Sequence, residues 1–141
     1  MYDRLRINKI IIDIEEYFTR LKGINLTKDN LEIDEKFFSV SMILFSILNR
    51  MVDLAGEIII KNEFGMPGSY EQYFDVLKSN GIIDKTLSDN LKRLVKDRNL
   101  FAHEYYNLQR SQVLRISKDI YFVKDFVEKV KKEVERRDGK K

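Results

Sequence analysis

The sequence contains no cysteine, one histidine, one proline and six glycines among its 141 residues. Without cysteine the chain can form neither disulfides nor thiolate metal sites. A single histidine makes a transition-metal site improbable, so we expect no bound metal of that kind, although a carboxylate site for Mg²⁺ stays open. Because proline and glycine interrupt regular structure, their scarcity favours long helices over many short strands.

Long apolar runs and a strong charge imbalance are also missing. The longest apolar run, residues 42–45, is far shorter than the roughly 20 residues that a membrane-spanning helix needs. The formal net charge of +3 permits an anionic partner without demanding one. The N-terminal residues enter an amphipathic pattern directly, without the apolar core of a signal peptide. We therefore expect a cytoplasmic protein that makes no membrane contact.

The length and composition predict one folded domain over residues 1–141. With 43% hydrophobic and 35% charged residues, the chain can build a core and is unlike a disordered sequence. The mixed charges of residues 136–141 predict a frayed tail at the end of this domain.

Apolar residues spaced by three and four positions predict four long helices and a short one, arranged as an all-α, up-and-down bundle. Ser69 followed by Gln72 matches a capping box for the short helix, and Asp84 or Thr86 can cap the helix after it. Thr27 or Asn30 can cap the second long helix. Apart from the helix that begins after Asp84 or Thr86, the predicted helices cover approximately residues 3–22, 31–62, 70–79 and 109–137.

The segment 31–62 is the most apolar of the chain, and its early half is apolar on nearly every side. Such a helix must be covered on more than one side. Its own neighbours could supply that cover in a central position. A second copy of the chain could also supply it, and we favour this homodimer because one small domain offers few neighbours.

A dense group of polar and aromatic side chains occupies residues 97–106, with the sequence DRNLFAHEYY. The guanidinium of Arg98 can grip a phosphate through a planar fork of donors. His103 is the only histidine, and an imidazole can take and give protons near neutral pH. These residue types point to phosphate chemistry.

Helix geometry restricts how these groups can meet. Residues five apart on an unbroken helix are rotated by about 140°, so Arg98 and His103 would point apart. Asn99 and His103 would share a face, as would Arg98 and Tyr105. Either the helix ends or distorts near Ala102, or two chains contribute to one site across a two-fold axis.

Each of these residues also has an ordinary structural interpretation. Arg98 could pair with Asp97 or Glu104 at the surface, which would contribute little to stability. His103 could simply pack beside the aromatic residues, and Tyr105 could be a core ring with a solvated hydroxyl.

The segment RNLFAHEY, residues 98–105, resembles the R-x4-H-x-Y signature of HEPN proteins, in particular the toxin half of HEPN–nucleotidyltransferase (MNT) toxin–antitoxin pairs. The polar residue directly after the arginine, here Asn99, is typical of that family. The resemblance extends to the order of segments: a long helix, an apolar long helix, a Gly-Pro break, the short SYxxYFxxL helix, a GII connector and the motif helix.

This resemblance implies a HEPN-like homodimer in which two motifs face one another across a cleft, with the activity of a metal-independent endoribonuclease toxin. His103 would act as general base or acid on the ribose 2′-hydroxyl or the leaving oxygen. Arg98 would stabilise negative charge on the phosphate, Asn99 would orient His103 or hold the phosphate, and Tyr105 would assist. No metal or cofactor is implied. Dimers could assemble further.

The resemblance also implies a partner, a cognate minimal nucleotidyltransferase antitoxin that adds adenylate to Tyr105. A bulky anion there would block RNA by its size and by like charge. Two other functions stay open. The chain could be a non-catalytic, partner-binding or nucleotide-binding subunit of a nucleotidyltransferase complex, or a plain helical oligomerisation domain.

An RNA substrate needs a positive approach surface. Basic residues flank the motif and could track the phosphates of a strand, although each could equally lie on an ordinary solvated helix face. They are Lys92, Arg93 and Lys96 before the motif, and Arg110 and Arg115 after it.

Overall fold

The computed structural model describes residues 2–139, and this range is helical without any β-strand. The predicted all-α bundle is therefore confirmed. Seven α-helices follow one another, with one short 3₁₀ turn, Tyr105–Asn107, between the fifth and the sixth. The helices are α1 (Arg4–Lys22), α2 (Lys28–Leu31), α3 (Asp34–Lys61), α4 (Tyr70–Ser79), α5 (Lys85–Glu104), α6 (Arg110–Asp119) and α7 (Phe122–Asp138).

Helix α3 is the centre of the bundle and the longest element, at 28 residues. It packs against α1, α4 and α5. Leu44, Ile47 and Leu48 are fully buried along it, and burial of each such side chain stabilises the fold by about 1.5–3 kcal/mol. The helix thus forms the support against which α5, the helix of the 97–106 motif, is held. Within residues 2–139, no helix is long and apolar enough to cross a bilayer.

Side-chain caps fix where the helices begin. The carboxylate of Asp84 accepts a hydrogen bond from the backbone N–H of Leu87 at 2.8 Å and so starts α5. Ser69 Oγ accepts from the N–H of Gln72 at 3.3 Å at the start of α4. The predicted capping box closes one residue earlier than we expected, because Gln72 Oε1 accepts from the N–H of Gly68 rather than from that of Ser69.

Two predicted helices differ from the structure in their bounds. The predicted helix 31–62 corresponds to α3, which begins later, at Asp34, because Leu31 ends a separate short helix, α2, that Thr27 caps. The segment 109–137 breaks between α6 and α7, where Val123 and Lys124 donate i→i+3 hydrogen bonds to Ile120 and Tyr121. This tight turn keeps the apolar side chains of both helices facing the core, so the spacing of apolar residues does not reveal it.

The C-terminal helix extends further than the sequence suggested. We expected fraying from residue 136, but α7 continues to Asp138. Arg136 pairs with Glu133 at 2.8 Å, and Asp138 pairs with Arg4 of α1. The last two residues of the expected frayed tail, Lys140 and Lys141, lie outside the described residues.

Some apolar side chains remain uncovered within a single chain. Leu5 is exposed, although its spacing placed it with the core residues of α1. In the early half of α3, Phe38 is 66% and Met42 is 63% exposed. Phe38 and Met42 lie in the segment that we expected to need cover from a second copy.

Candidate functional site

A cleft of 400 Å³ lies between α5 and the start of α4. Three motif residues of α5 line it: Arg98, Asn99 and His103. The opposite wall comes from the loop before α4 and from its first turns. That wall consists of Pro67, Gly68, Ser69, Tyr70 and Tyr73.

The guanidinium of Arg98 is held by three neighbours. Its Nε donates to Asn49 Oδ1 of α3 at 2.9 Å, and its Nη1 donates to Asn99 Oδ1 at 3.2 Å. Its central carbon lies 5.1 Å from the centre of the Tyr70 ring, within cation–π range. These contacts fix the direction of the cation, and Nη2 makes no hydrogen bond within residues 2–139.

Helix α5 runs through His103 to Glu104 without a break, yet Arg98 and His103 line the same cleft. Neither a distortion near Ala102 nor a second chain is needed to bring them there. The long side chain of Arg98 can reach the Asn99–His103 side of the helix, and its bond to Asn99 holds it on that side.

His103 is solvent-exposed and makes no hydrogen bond within the described part of the chain. Its imidazole is therefore accessible to a molecule that enters the cleft. Asp97, which we considered as a partner for Arg98, is buried and pairs with Arg115 at 2.7 Å. This hydrogen bond raises the pKa of Arg115 and joins α5 to α6.

Tyr105 does not line this cleft. It begins the 3₁₀ turn after α5, is 72% exposed, and meets Tyr106 edge to face with ring centres 5.8 Å apart. It lies on a neighbouring apolar groove of 410 Å³ between α3, α5 and the 3₁₀ turn. The other residues of this groove are Phe37, Phe38, Ser41, Met42, Phe45, Phe101, Ala102 and Leu108.

The basic residues around the motif differ in how they are engaged. Lys92 pairs with Asp75 at 2.9 Å, and this hydrogen bond raises the pKa of Lys92. Arg110 donates to Asp34 at 2.5 Å and to the carbonyl of Leu31 at 3.1 Å. These two cations, like Arg115, already have partners within the chain.

Two basic residues keep exposed positions on α5. Arg93 donates to the side chain of Asn90, a neutral partner. Lys96 is exposed and has no ion pair within residues 2–139. None of the five basic residues lines the cleft, so any role in RNA binding would be at a distance from Arg98 and His103.

Sequence reasoning missed two residues of this site, Asn49 and Tyr70. Asn49 is an amide within the most apolar segment, and a polar residue in such a helix is a signal that could have been followed. Tyr70 belongs to the SYxxYFxxL pattern, but nothing local connects that pattern to Arg98. Both contacts form only when separate helices pack together.

The arrangement suits a phosphodiester. A guanidinium with fixed direction can stabilise negative charge, and an exposed imidazole beside it can move a proton. The start of α4 faces the same cleft, and helix N-termini favour anions. An all-helical bundle that presents Arg-x4-His in this way is a HEPN-type domain.

The comparison with known families agrees with this class and makes it more specific. The model of the family described as "Ribonuclease HepT-like" matches residues 7–132, so the chain belongs to that family. The resemblance to HEPN proteins is thereby confirmed. The chain is also similar to the mRNA nuclease HepT of Shewanella oneidensis, with 35% identity over 65 residues. That alignment covers 46% of this chain and 49% of the relative, about half the length of each.

Solved structures share the fold over most of the chain. The tri-AMPylated HEPN toxin of Shewanella oneidensis, in complex with an MNT antitoxin, is 26% identical with a TM-score of 0.82, covering 93% of this chain and 98% of its own. A toxin–antitoxin complex with AMP-PNP is 25% identical with a TM-score of 0.81, covering 89% and 96%. The cytosolic protein YutE from Bacillus subtilis, at 19% identity and a TM-score of 0.86 over 97% and 95%, shares the fold alone.

Proposed function

We propose that this protein is a metal-independent endoribonuclease, the toxin of a toxin–antitoxin pair. The observation that carries the proposal is the cleft in which Arg98, Asn99 and His103 converge. The names of two relatives, an mRNA nuclease and a HEPN toxin bound to its MNT antitoxin, support the same activity. A cytoplasmic location, where mRNA is found, belongs to the proposal.

The residues divide the chemistry between charge and proton transfer. His103 takes the proton of the ribose 2′-hydroxyl while the 2′-oxygen attacks phosphorus, and the bond from phosphorus to the 5′-oxygen breaks. The leaving 5′-oxygen takes up a proton from water and His103 releases its own to water, which leaves a 2′,3′-cyclic phosphate and a 5′-hydroxyl. Arg98 stabilises the negative charge that grows on the phosphate oxygens. Since guanidinium and imidazole supply both functions, the step needs no metal ion.

The hydrogen bond of Asn99 supports a role other than the two that the resemblance implied. Its Oδ1 accepts from Arg98 Nη1 at 3.2 Å, so in our proposal it directs the guanidinium rather than His103. Its amide nitrogen then remains available to a phosphate oxygen, because it makes no hydrogen bond within residues 2–139.

The working unit in this proposal is a homodimer that forms over the apolar groove. Phe38 and Met42 are exposed on one side of the groove, and Ala102 and Tyr105 of the motif segment lie on the other. A second copy seated there would cover the uncovered half of α3. It would also bring two clefts close together, which is the composite site that the resemblance implied.

Cleavage of RNA by the purified protein in EDTA tests the proposal. We expect cutting by the wild type and none by His103→Ala, with the oligomeric state of the variant unchanged because the exposed imidazole contributes no packing. Cutting that persists in His103→Ala, or that disappears in EDTA and returns with a divalent metal, would contradict the mechanism. Harmless expression together with intact RNA would instead favour the nucleotide-binding subunit.

In this proposal, a partner nucleotidyltransferase silences the toxin by adding adenylate to Tyr105. The phenol is 72% exposed and lies on the segment that directly follows the motif helix, so in the proposed dimer an added anionic group would crowd the approach to the paired clefts. The neighbouring Tyr106 is similarly exposed, at 71%, and is the natural internal comparison.

Mass spectrometry of the protein co-expressed with such a partner tests this regulation. We expect added adenylate mass on the peptide that contains both tyrosines, lost in Tyr105→Phe and kept in Tyr106→Phe. The reverse pattern would move the modification to Tyr106, and unmodified protein with full toxicity in the presence of the partner would rule out this form of control.

A further inference from the structure

The proposed mechanism leaves one side of the cleft without a function. Tyr70 and Tyr73 of α4 face Arg98 across the cleft, and neither takes part in proton transfer or charge stabilisation. Their rings meet edge to face with centres 5.4 Å apart and planes at 77°. The cleft therefore combines a cation for phosphate with an aromatic wall.

The aromatic wall is held in place from behind. Tyr73 is half-buried and lies against Gly56 of α3, where an added Cβ would come within 3.4 Å of the ring. Ser69 caps α4 directly before Tyr70 and sets the start of the helix at the cleft. A ring whose backbone and neighbour are fixed loses little freedom when a ligand packs against it.

These contacts cover only part of the surface of Tyr70. Arg98 lies over the ring at 5.1 Å, yet Tyr70 remains 39% exposed. Single-stranded RNA is recognised chiefly by stacking unpaired bases on aromatic side chains, next to cations that hold the phosphates. Tyr70 supplies such a ring, and Arg98, which lies over it, supplies such a cation.

We propose that Tyr70 is a base-stacking residue that holds the nucleobase next to the phosphate gripped by Arg98. This inference rests on the proposed ribonuclease function and adds to it a preference for unpaired RNA at the cut. The competing explanation is that Tyr70 only orients Arg98 through the cation–π contact. An abasic RNA and the separate effects on KM and kcat distinguish the two explanations, and a tyrosine elsewhere on the chain serves as a control for the substitution itself.

That matched control is Tyr121, at the junction of α6 and α7. It is 46% exposed, packs against another aromatic ring, Phe18, and has Lys124 over its ring at 5.2 Å. It thus shares with Tyr70 the partial exposure, the aromatic neighbour and the cation, but it does not line the cleft. Replacing it by leucine reports the cost of losing such a tyrosine anywhere on the surface.

The first experiment measures binding of a short labelled single-stranded RNA by fluorescence anisotropy, in the His103→Ala background so that no cutting occurs. We expect Tyr70→Leu to raise Kd by roughly tenfold, the scale of one lost base–aromatic stack, while Tyr70→Phe and Tyr121→Leu leave it unchanged. An unaltered Kd in Tyr70→Leu would overturn the proposal, as would an equal loss in Tyr121→Leu.

The second experiment removes the base instead of the ring. An abasic residue at one RNA position should raise the Kd of the protein that keeps Tyr70 by as much as Tyr70→Leu does. It should raise the Kd of the Tyr70→Leu protein no further. Independent losses would show that the base and the ring do not meet. In the active protein we expect Tyr70→Leu to raise KM with little change in kcat, whereas a fall in kcat alone would leave Tyr70 as a positioning residue for Arg98.

Binding and cleavage separate this inference from the function on which it rests. If the wild type cuts RNA but Tyr70→Leu binds it normally, the stacking site is wrong and the nuclease stands. If RNA binds through Tyr70 but is never cut, the nuclease is wrong and the stacking site stands. If the His103→Ala protein binds no RNA and the wild type cuts none, both are wrong.

Discussion

At the scale of single residues, the orientation of Arg98 depends on a residue from another helix. Asn49 is a half-buried residue of α3, and its Oδ1 accepts from Arg98 Nε at 2.9 Å. An amide in such a place needs a partner to offset its lost hydration, and a charged donor is a strong one. This contact fixes the Nε side of the guanidinium on α3.

We therefore predict that Asn49→Ala slows RNA cleavage by roughly tenfold, because a hydrogen bond to a charged group contributes about 1.5–3 kcal/mol to holding Arg98. Ser46→Ala is the matched control, since Ser46 lies one turn earlier on α3 and bonds only to the carbonyl of Met42. Single-turnover rates of both variants check the prediction. Equal rates in the two variants would mean that Asn49 does not position Arg98.

The same residues show what a local pattern can and cannot reveal about the site. Arg98, Asn99 and His103 could be chosen from the sequence because they fall within one turn and a half of one helix. Asn49 and Tyr70 could not, since they reach Arg98 only through the packing of α3 and α4 against α5. Their contribution belongs to the tertiary structure.

At the scale of helices, α5 is fixed at its beginning and near its end. Asp84 caps its first turn, and Asp97 binds Arg115 of α6 at 2.7 Å. Phe101 packs beside Phe45 of α3 with ring centres 5.9 Å apart. These contacts hold the cleft residues of α5 in position between the cap and the 3₁₀ turn.

Asp84→Ala should lower the free energy of unfolding by about 1 kcal/mol, the usual cost of losing an N-cap. Asp84→Asn should keep most of this stability, because the amide oxygen can still accept from Leu87 N–H. Urea unfolding of the two variants beside the wild type gives the comparison. If Asp84→Asn lowered the free energy of unfolding as much as Asp84→Ala, the negative charge of Asp84 rather than its capping hydrogen bond would account for the stability.

Helix existence was easier to predict than helix interruption. The apolar spacing over 109–137 is continuous, and both sides of the break are buried at Ile120 and Val123. The apolar side chains face the core on both sides of the turn between α6 and α7. The turn contains neither glycine nor proline, so no local sequence signal predicts it. The bend before α3 was missed for a similar reason, since Leu31 is buried like the residues of the longer helix.

At the scale of the whole molecule, α5 presents two neighbouring surfaces with different chemistry. The cleft is polar and cationic, while the groove that contains Tyr105 is apolar. Tyr105 is absent from the cleft of its own chain, so its proposed part near the active site requires a second copy or a bound strand that reaches both surfaces. Dimerisation over the groove would supply that connection.

Met42→Lys should weaken the dimer by at least about 100-fold, because an unpaired charge would be buried where the second copy packs. Ile60→Lys is the matched control, since Ile60 is on the same helix and equally exposed, at 64% against 63%, but lies outside the groove. Sedimentation equilibrium separates the outcomes. A dimer that survives Met42→Lys but not Ile60→Lys would place the interface at the other end of α3.

The overall class of this molecule followed from the sequence more completely than its details. The scarcity of glycine and proline and the spacing of apolar residues sufficed for an all-α bundle, and the motif with its surrounding segments sufficed for the HEPN family. The uncovered Phe38 and Met42 followed from the excess of apolar residues in α3. The separation of Tyr105 from Arg98 and His103 did not, because it depends on where α5 ends.

The central claim is that Arg98 and His103 act together on one phosphodiester. Single-turnover cleavage of a labelled RNA in EDTA by Arg98→Ala, His103→Ala and the double variant, at matched protein and dimer concentrations, tests it most directly. We predict that each single variant loses at least about 100-fold in rate and that the double variant is no slower than the slower single one. Losses that multiply in the double variant, or a single variant that cuts at the wild-type rate, would contradict a shared site.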